Sequence, residues 1–435
     1  MHNYHLKEII AQMSDFKSKL KRMGVVKGTH NLRPAPKPTS TIRGQKLGSL
    51  EILLKLFPNG RVVETFSEPY FEVDEVFPLH SKIGPCKVED VANLDLSPVA
   101  EFSGDSRLQG LKGRDLLFVD IETTGLAGAG VQPFMIGFAY FQAGALVVRQ
   151  MFMHKPGAEE GLLQGLEALL ADRKALVTFN GRSFDLPVLD TRFMMTGLAD
   201  GSRPDLKQLP HIDLLPPSRK IWSYLPSRAL SYLDEHVLKM KRPPGEIPGR
   251  LAPWLYNQFA QTGDPRPLEG MFLHNQLDML AMVPLLEQVV TYWSAVNPID
   301  NPYIALSVAR WKLSQEKGQQ GEMLLADFLS RGAEVPVALR ITALRELSML
   351  CKRTNRRADA TVLWQEMAEL DPVEDAFPHL ELAKHFEWQT PDFEKASLWA
   401  AHAYQIVISQ PVLNYQLKGE IEHRLRRLAQ KLGKT

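Results

Sequence analysis

The sequence predicts an α/β protein, a mixed sheet flanked by helices, followed by an all-α region of helix pairs. Three observations predict it. Leu116-Leu117-Phe118-Val119 and Ala175 to Phe179 are continuous apolar runs of strand length, the kind that buries both faces. Glu159 to Leu170 instead has helical spacing, with Leu162, Leu163, Leu166, Leu169 and Leu170 on one apolar face. From about Asn301 the pattern is almost wholly helical.

The remaining elements follow from local signals. Phe134 to Gln142 and Leu146 to Met153 read as two strands joined by a turn that contains Gly144. Asn180-Gly181 closes the Ala175 strand, and a helix is expected from Leu186 onward. After Pro-rich breaks, helical stretches are expected around Ala229–Met240, Pro253–Gln261 and Leu268–Trp293. Strands that first meander and then alternate with helices imply a mixed sheet with helices on both faces.

A chain of 435 residues suggests two or three domains. We divide it into a short helix and basic arm (1–50), a lead-in that packs on the next domain (51–112), the α/β domain (113–297) and the helical region (298–435). The arm carries Lys17, Lys19, Lys21, Arg22, Lys27, Arg33, Lys37, Arg43 and Lys46 with no acid between Lys17 and Lys46, and Pro34, Pro36 and Pro38 disfavour helix. Such an arm suits a polyanion, the plainer reading being a solvated linker. In the helical region, Glu346-Leu347 recurs as Glu381-Leu382 and Leu363-Trp364 as Leu398-Trp399, both at an offset of 35. That spacing looks like tetratricopeptide-type helix pairs and would suit a protein partner; a plain bundle is the alternative.

Composition excludes several classes. The apolar fraction of 44% and charged fraction of 23% are those of an ordinary globular protein. With only Cys86 and Cys351, neither a disulfide framework nor structural zinc is expected, and a cytoplasmic setting fits. No run reaches the roughly 18 apolar residues that span a bilayer, so no membrane partner is expected.

The chemistry concentrates in three segments. Asp120-Ile121-Glu122 ends an apolar strand, where positions i and i+2 share a side, so two carboxylates are presented together. Held that close, they repel unless a cation such as Mg²⁺ or Mn²⁺ intervenes; a solvated rim pair is the plainer reading. Asp185, in Asn180-Gly181-Arg182-Ser183-Phe184-Asp185, lies just past a second buried strand, where it either serves the site or caps a helix. His274 and Asp278, four apart, share one helix face.

In this order the three segments resemble the DEDD exonuclease group of the ribonuclease H-like fold, and most nearly the YprB-like family. Asp120 and Glu122 match its Asp-x-Glu, and Asn180, Phe184 and Asp185 its second motif. Asp278 matches the last Asp. The likeness also takes in Glu246-Ile247-Pro248-Gly249, Thr262-Gly263-Asp264 and His274-Asn275. It implies a ribonuclease H-like α/β fold and a metal-dependent nuclease, a 3′–5′ exonuclease on single-stranded DNA or RNA. Asp120, Glu122, Asp185 and Asp278 would hold two Mg²⁺ or Mn²⁺ ions, with His274 as base. Thr123, Thr124, Leu126, Asn180, Phe184 and Asn275 would contact the strand. His274 stands at the spacing that the group fills with Tyr, which leaves the base open. Asp213 reads as structural. A scaffold that keeps the fold without catalysis, or a hydrolase of small phosphoesters, remain the alternatives.

Overall fold

The computed structural model describes residues 48–125, 130–196, 206–295, 298–315, 318–371 and 374–433. The basic arm up to Lys46 and the candidate Leu126 lie outside them.

Helix α1 (Ser49–Leu56) leads into strands β1 (Gly60–Val63) and β2 (Tyr70–Pro78), a small hairpin of β3 (Lys82–Ile83) and β4 (Cys86–Lys87), and helices α2 (Val88–Asn93) and α3 (Ser97–Ser103). The centre of the fold follows: β5 (Leu116–Thr123), β6 (Pro133–Gln142), β7 (Ala145–Phe152), α4 (Glu159–Leu170), β8 (Ala175–Thr178), α5 (Asp185–Met195), β9 (His211–Asp213), α6 (Leu215–Ile221), α7 (Leu230–His236), α8 (Ala252–Thr262) and α9 (Glu269–Ser294). Seven strands form one mixed sheet in the order β1-β2-β7-β6-β5-β8-β9. The β5–β8 and β8–β9 pairs are parallel and the others antiparallel. Ala143 and Gly144 both take positive φ (49° and 78°), the backbone that a two-residue hairpin between β6 and β7 demands.

The lead-in corrects one expectation. Residues 60–78, expected only to pack on the sheet, are its outer strands, so the border at 112/113 is no break in the fold. Their alternation is masked because Glu72, 2% exposed, is turned inward and is neutralised by Arg61 and Arg149.

Side chains along β5 alternate between two cores, one on each sheet face. Leu116 and Phe118 face one; Leu117, Val119 and Ile121 face the other. Helix α9 takes part in both. Its Met271 and Phe272 belong to the second core, and Met279 to Trp293 to the first. His274, Asn275 and Asp278 sit on the stretch where the helix passes from one core to the other.

The C-terminal region is all-helical: α10 (Pro302–Ser314), α11 (Gly318–Ser330), α12 (Val337–Arg353), α13 (Arg357–Leu370), α14 (Ala376–Trp388), α15 (Phe393–Ser409) and α16 (Tyr415–Lys431). The 35-residue offset maps α12–α13 onto α14–α15, with Leu347 and Leu382 both buried. The border at 297/298 is no break in packing either. Phe102, Trp293 and Trp311 pack in tilted and edge-on contacts at ring separations of 4.5–5.6 Å, and the first core runs on from the sheet into α10–α14.

Candidate active site

Asp120 and Glu122 stand at the end of β5, where the register with β6 shifts between Glu122 and Thr123. Such a bulge redirects a strand's last side chains. Opposite Asp120 lies Gly137, and the absence of a side chain there is required: a Cβ would fall 2.3 Å from Asn275 Oδ1. Asn275 fills that space. Its Nδ2 donates to Asp120 Oδ2 at 2.9 Å, and its Oδ1 accepts from Gln150 Nε2 at 2.9 Å. Gln150 also donates to the Phe272 carbonyl at 2.8 Å. A buried chain of amides thus holds Asp120 in place. Asn275 has 0% exposure, so where substrate contact was expected the structure has a buried support for the acid.

Asp185 begins α5 and is 5% exposed; its Oδ1 accepts from the Ile121 N–H at 3.1 Å, between the two β5 acids. Burial pushes the Asp185 carboxyl up to about 7, against the pull of that N–H. Burial raises Asp120 and Glu122 well above the carboxylate range, and the neighbouring acids, Asp185 and Asp278 among them, add to it. Three elements therefore bring together carboxylates whose charges are unfavourable as they stand.

The helix side is built differently. His274 Nε2 lies 3.8 Å from Glu122 Oε1 and 3.5 Å from Asp278 Oδ2. Its Nδ1 lies 2.6 Å from Glu246 Oε1. A proton on Nδ1 donated to Glu246 leaves the Nε2 lone pair facing the site. The same Glu246 oxygen accepts from Arg242 Nη1 at 2.6 Å. Arg242 further binds Asp234 Oδ2 through Nε at 2.8 Å and Asp278 Oδ1 through Nη2. Arg242 and His274 hold Glu246 below the carboxylate range despite its partial burial. Burial raises the almost fully buried Asp234 to about 6, with Arg242 opposing. Gly249 keeps the approach to His274 open, since a Cβ there would lie 2.9 Å from Nε2 and 3.7 Å from Glu122 Oε1.

The other expected contacts are placed as follows. Thr123 Oγ1 donates to the Gly125 carbonyl at 2.6 Å, and Thr124 Oγ1 accepts from the Gln132 N–H at 3.0 Å, so both hydroxyls shape the turn after β5. Asn180 is exposed at positive φ (69°), and its N–H donates to Asp213 Oδ1 at 2.8 Å. Asp213 also accepts from the Arg182 and Leu215 N–H groups, a turn-holding role. Phe184 is half-buried against the second core. Sequence reasoning missed Arg242, Gln150 and the pairing of Glu246 with His274. The signal for Gln150 was an amide inside an apolar strand.

Could these residues hold metal? Among the described residues no three His, Cys, Asp or Glu side chains stand ready-made as a metal-ligand group, and Asp278 is drawn to Arg242. The donor chemistry nevertheless fits a hard divalent cation: oxygen ligands only, and carboxylates whose mutual repulsion such a charge would relieve.

Residues 117–290 match the family model described as the RNase_H superfamily. The mixed sheet with its flanking helices is ribonuclease H-like in fold. The protein named "Uncharacterized protein YprB" of Bacillus subtilis strain 168 is 29% identical over 340 residues, 76% of this chain and 79% of that protein. Among solved structures, the family B DNA polymerase from the hyperthermophilic archaeon Pyrobaculum calidifontis matches with a TM-score of 0.33 at 17% identity over 47% of this chain. The matched part spans 29% of that polymerase. All the candidate acids, and His274, fall inside the matched ribonuclease H-like segment. No helix among the described residues is long and apolar enough to cross a membrane.

Proposed function

We propose that the protein is a divalent-metal-dependent nuclease, a 3′–5′ exonuclease of single-stranded DNA or RNA. The observation that carries this reading is the convergence of Asp120, Glu122 and Asp185 under unrelieved charge, with the Nε2 of His274 beside them. Asp120, Glu122, Asp185 and Asp278 are the residues that would hold two Mg²⁺ or Mn²⁺ ions. Such ions, when bound, acidify a water and stabilise a leaving oxygen.

The chain's own residues supply the rest. Glu246 fixes the tautomer and ring plane of His274, whose Nε2 takes up a proton from the attacking water. The Gln150–Asn275 amide chain keeps Asp120 from turning away, and Gly249 leaves room at His274 for the incoming phosphodiester. Asn180 and Phe184 border the second acid and are the side chains to meet a strand end.

The test is incubation of the full chain with end-labelled DNA and RNA oligonucleotides in Mn²⁺, Mg²⁺ or EDTA. A ladder shortening from the 3′ end, absent in EDTA, is expected. Intact oligonucleotides under every metal condition would overturn the reading.

A further inference from the structure

A second cleft, of about 380 Å³, lies where the ribonuclease H-like domain meets the helical tail. Three helices contribute cations to it: Arg219 and Lys220 from α6, Arg310 from α10 and Arg353 from α12. One acid, Glu346, lines it as well and pairs with Arg310 at 2.9 Å. Arg219, Lys220 and Arg353 are exposed and have no acidic partner within ion-pair distance among the described residues. Three uncompensated positive charges are thus held around one concave space by helices that distant parts of the chain supply. The folded protein bears that repulsion unless an anion relieves it.

The floor is polar and firm. Ser223 and Ser307 share a hydrogen bond at 3.0 Å, joining the segment after α6 to α10, and the buried Trp311 lies beneath. Hydroxyls with guanidinium groups are donors, suited to phosphate oxygens rather than to a cation or an apolar ligand. The cleft is also tied to the candidate active site. Helix α6 starts at Leu215, whose N–H is held by Asp213 Oδ1, the same oxygen that accepts from Asn180. At 1.5 Å per residue, the Arg219–Lys220 end lies about 10 Å from that turn.

We propose that this cleft binds the phosphate backbone of a nucleic-acid strand, holding the substrate away from the carboxylates that cut it. The proposal rests on the nuclease reading for the choice of a strand over other polyanions. Cation contacts of this kind position a strand without reading its sequence. An acidic segment of a partner protein is the competing occupant.

Binding is measured in EDTA, so that no cleavage is needed, by fluorescence anisotropy of the full chain with labelled 20-nucleotide DNA and RNA strands across a salt series. Arg219→Gln combined with Arg353→Gln should lower the slope of log K against log salt by about 1.4, two contacts at about 0.7 each. The dissociation constant should rise roughly 10- to 30-fold at 0.1 M salt. Lys82→Gln, on the remote β3 hairpin, should change neither. Arg219→Lys with Arg353→Lys should retain most of the wild-type slope, which separates lost charge from lost folding. An unchanged slope in the Gln variant overturns the proposal. So does displacement of the strand by polyglutamate as readily as by unlabelled strand of equal charge. Asp120→Asn, assayed in parallel for cleavage, tests the nuclease reading separately: a changed slope beside unaltered cutting would leave the cleft standing and remove the carboxylate site.

Discussion

On the strand side of the candidate site, Asp120, Glu122 and Asp185 crowd together, with an amide of Asn275 and the Ile121 N–H as donors to two of them. On the helix side, Asp278, Glu246 and Asp234 converge on the guanidinium of Arg242. On one wall burial and mutual repulsion push the carboxyls towards their protonated forms; the other carries its own cation. Unrelieved charge costs stability and is useful only when something arrives to offset it, whereas a complete ion network serves to hold geometry. The strand wall is built for a visitor and the helix wall for position.

The largest effect should follow from removing a strand-side acid. Asp120→Asn or Asp185→Asn is expected to cut the cleavage rate roughly 10³-fold or more, since several kcal/mol of charge stabilisation depend on that set. In EDTA the same variants should be at least as stable as wild type. The pH dependence follows in sign. The folded Asp185 carboxyl sits at about 7 against an ordinary 3.8, so the folded state holds a proton that the unfolded state releases. Metal-free stability therefore falls as pH rises from about 4 to about 7, and Asp185→Asn should flatten that fall. A steeper fall in chemical denaturation would break the contrast between the walls.

Removing the helix-side cation should do the opposite. Arg242 is 11% exposed, and Arg242→Ala leaves the buried Asp234 without its partner. A loss of about 3–5 kcal/mol in urea unfolding is expected, with part of it recovered by Arg242→Lys. Stability equal to wild type would mean that the network is not what holds this wall.

The smallest effect sharpens the comparison at the point where the walls meet. His274→Ala should lower kcat about 10²-fold, while KM and Mn²⁺ affinity by calorimetry stay near wild type. His274→Tyr should recover part of the rate. If metal affinity fell with the rate, His274 would belong to the strand wall's ligand set instead.

The strand wall was legible in the sequence, whereas of the helix wall only Asp278 and His274 were placed by their spacing, for a physical reason. Asp120 and Glu122 close one apolar run and Asp185 opens the helix that follows another, and the burial of such runs is written in consecutive residues. Arg242 and Glu246 lie in a Pro-rich connection with no periodicity, and only the tertiary fold brings them to Asp278. Asn275, expected from the resemblance to contact a nucleic-acid strand, is fully buried. What places it inside is Gly137, 138 positions away, which leaves the space it occupies. The outer strands β1 and β2 were missed because Glu72, buried beside two arginines, breaks the alternation that marks a half-buried strand.

Helix α9 belongs to both cores, with His274, Asn275 and Asp278 in its first half, where it passes from one to the other. This one helix, about 39 Å long and with Pro284 inside it, thereby joins the candidate site to the tail's aromatic contacts. Trp311→Ala, which removes the packing against Trp293, is expected to speed amide exchange around Asn275 as well as around Trp293.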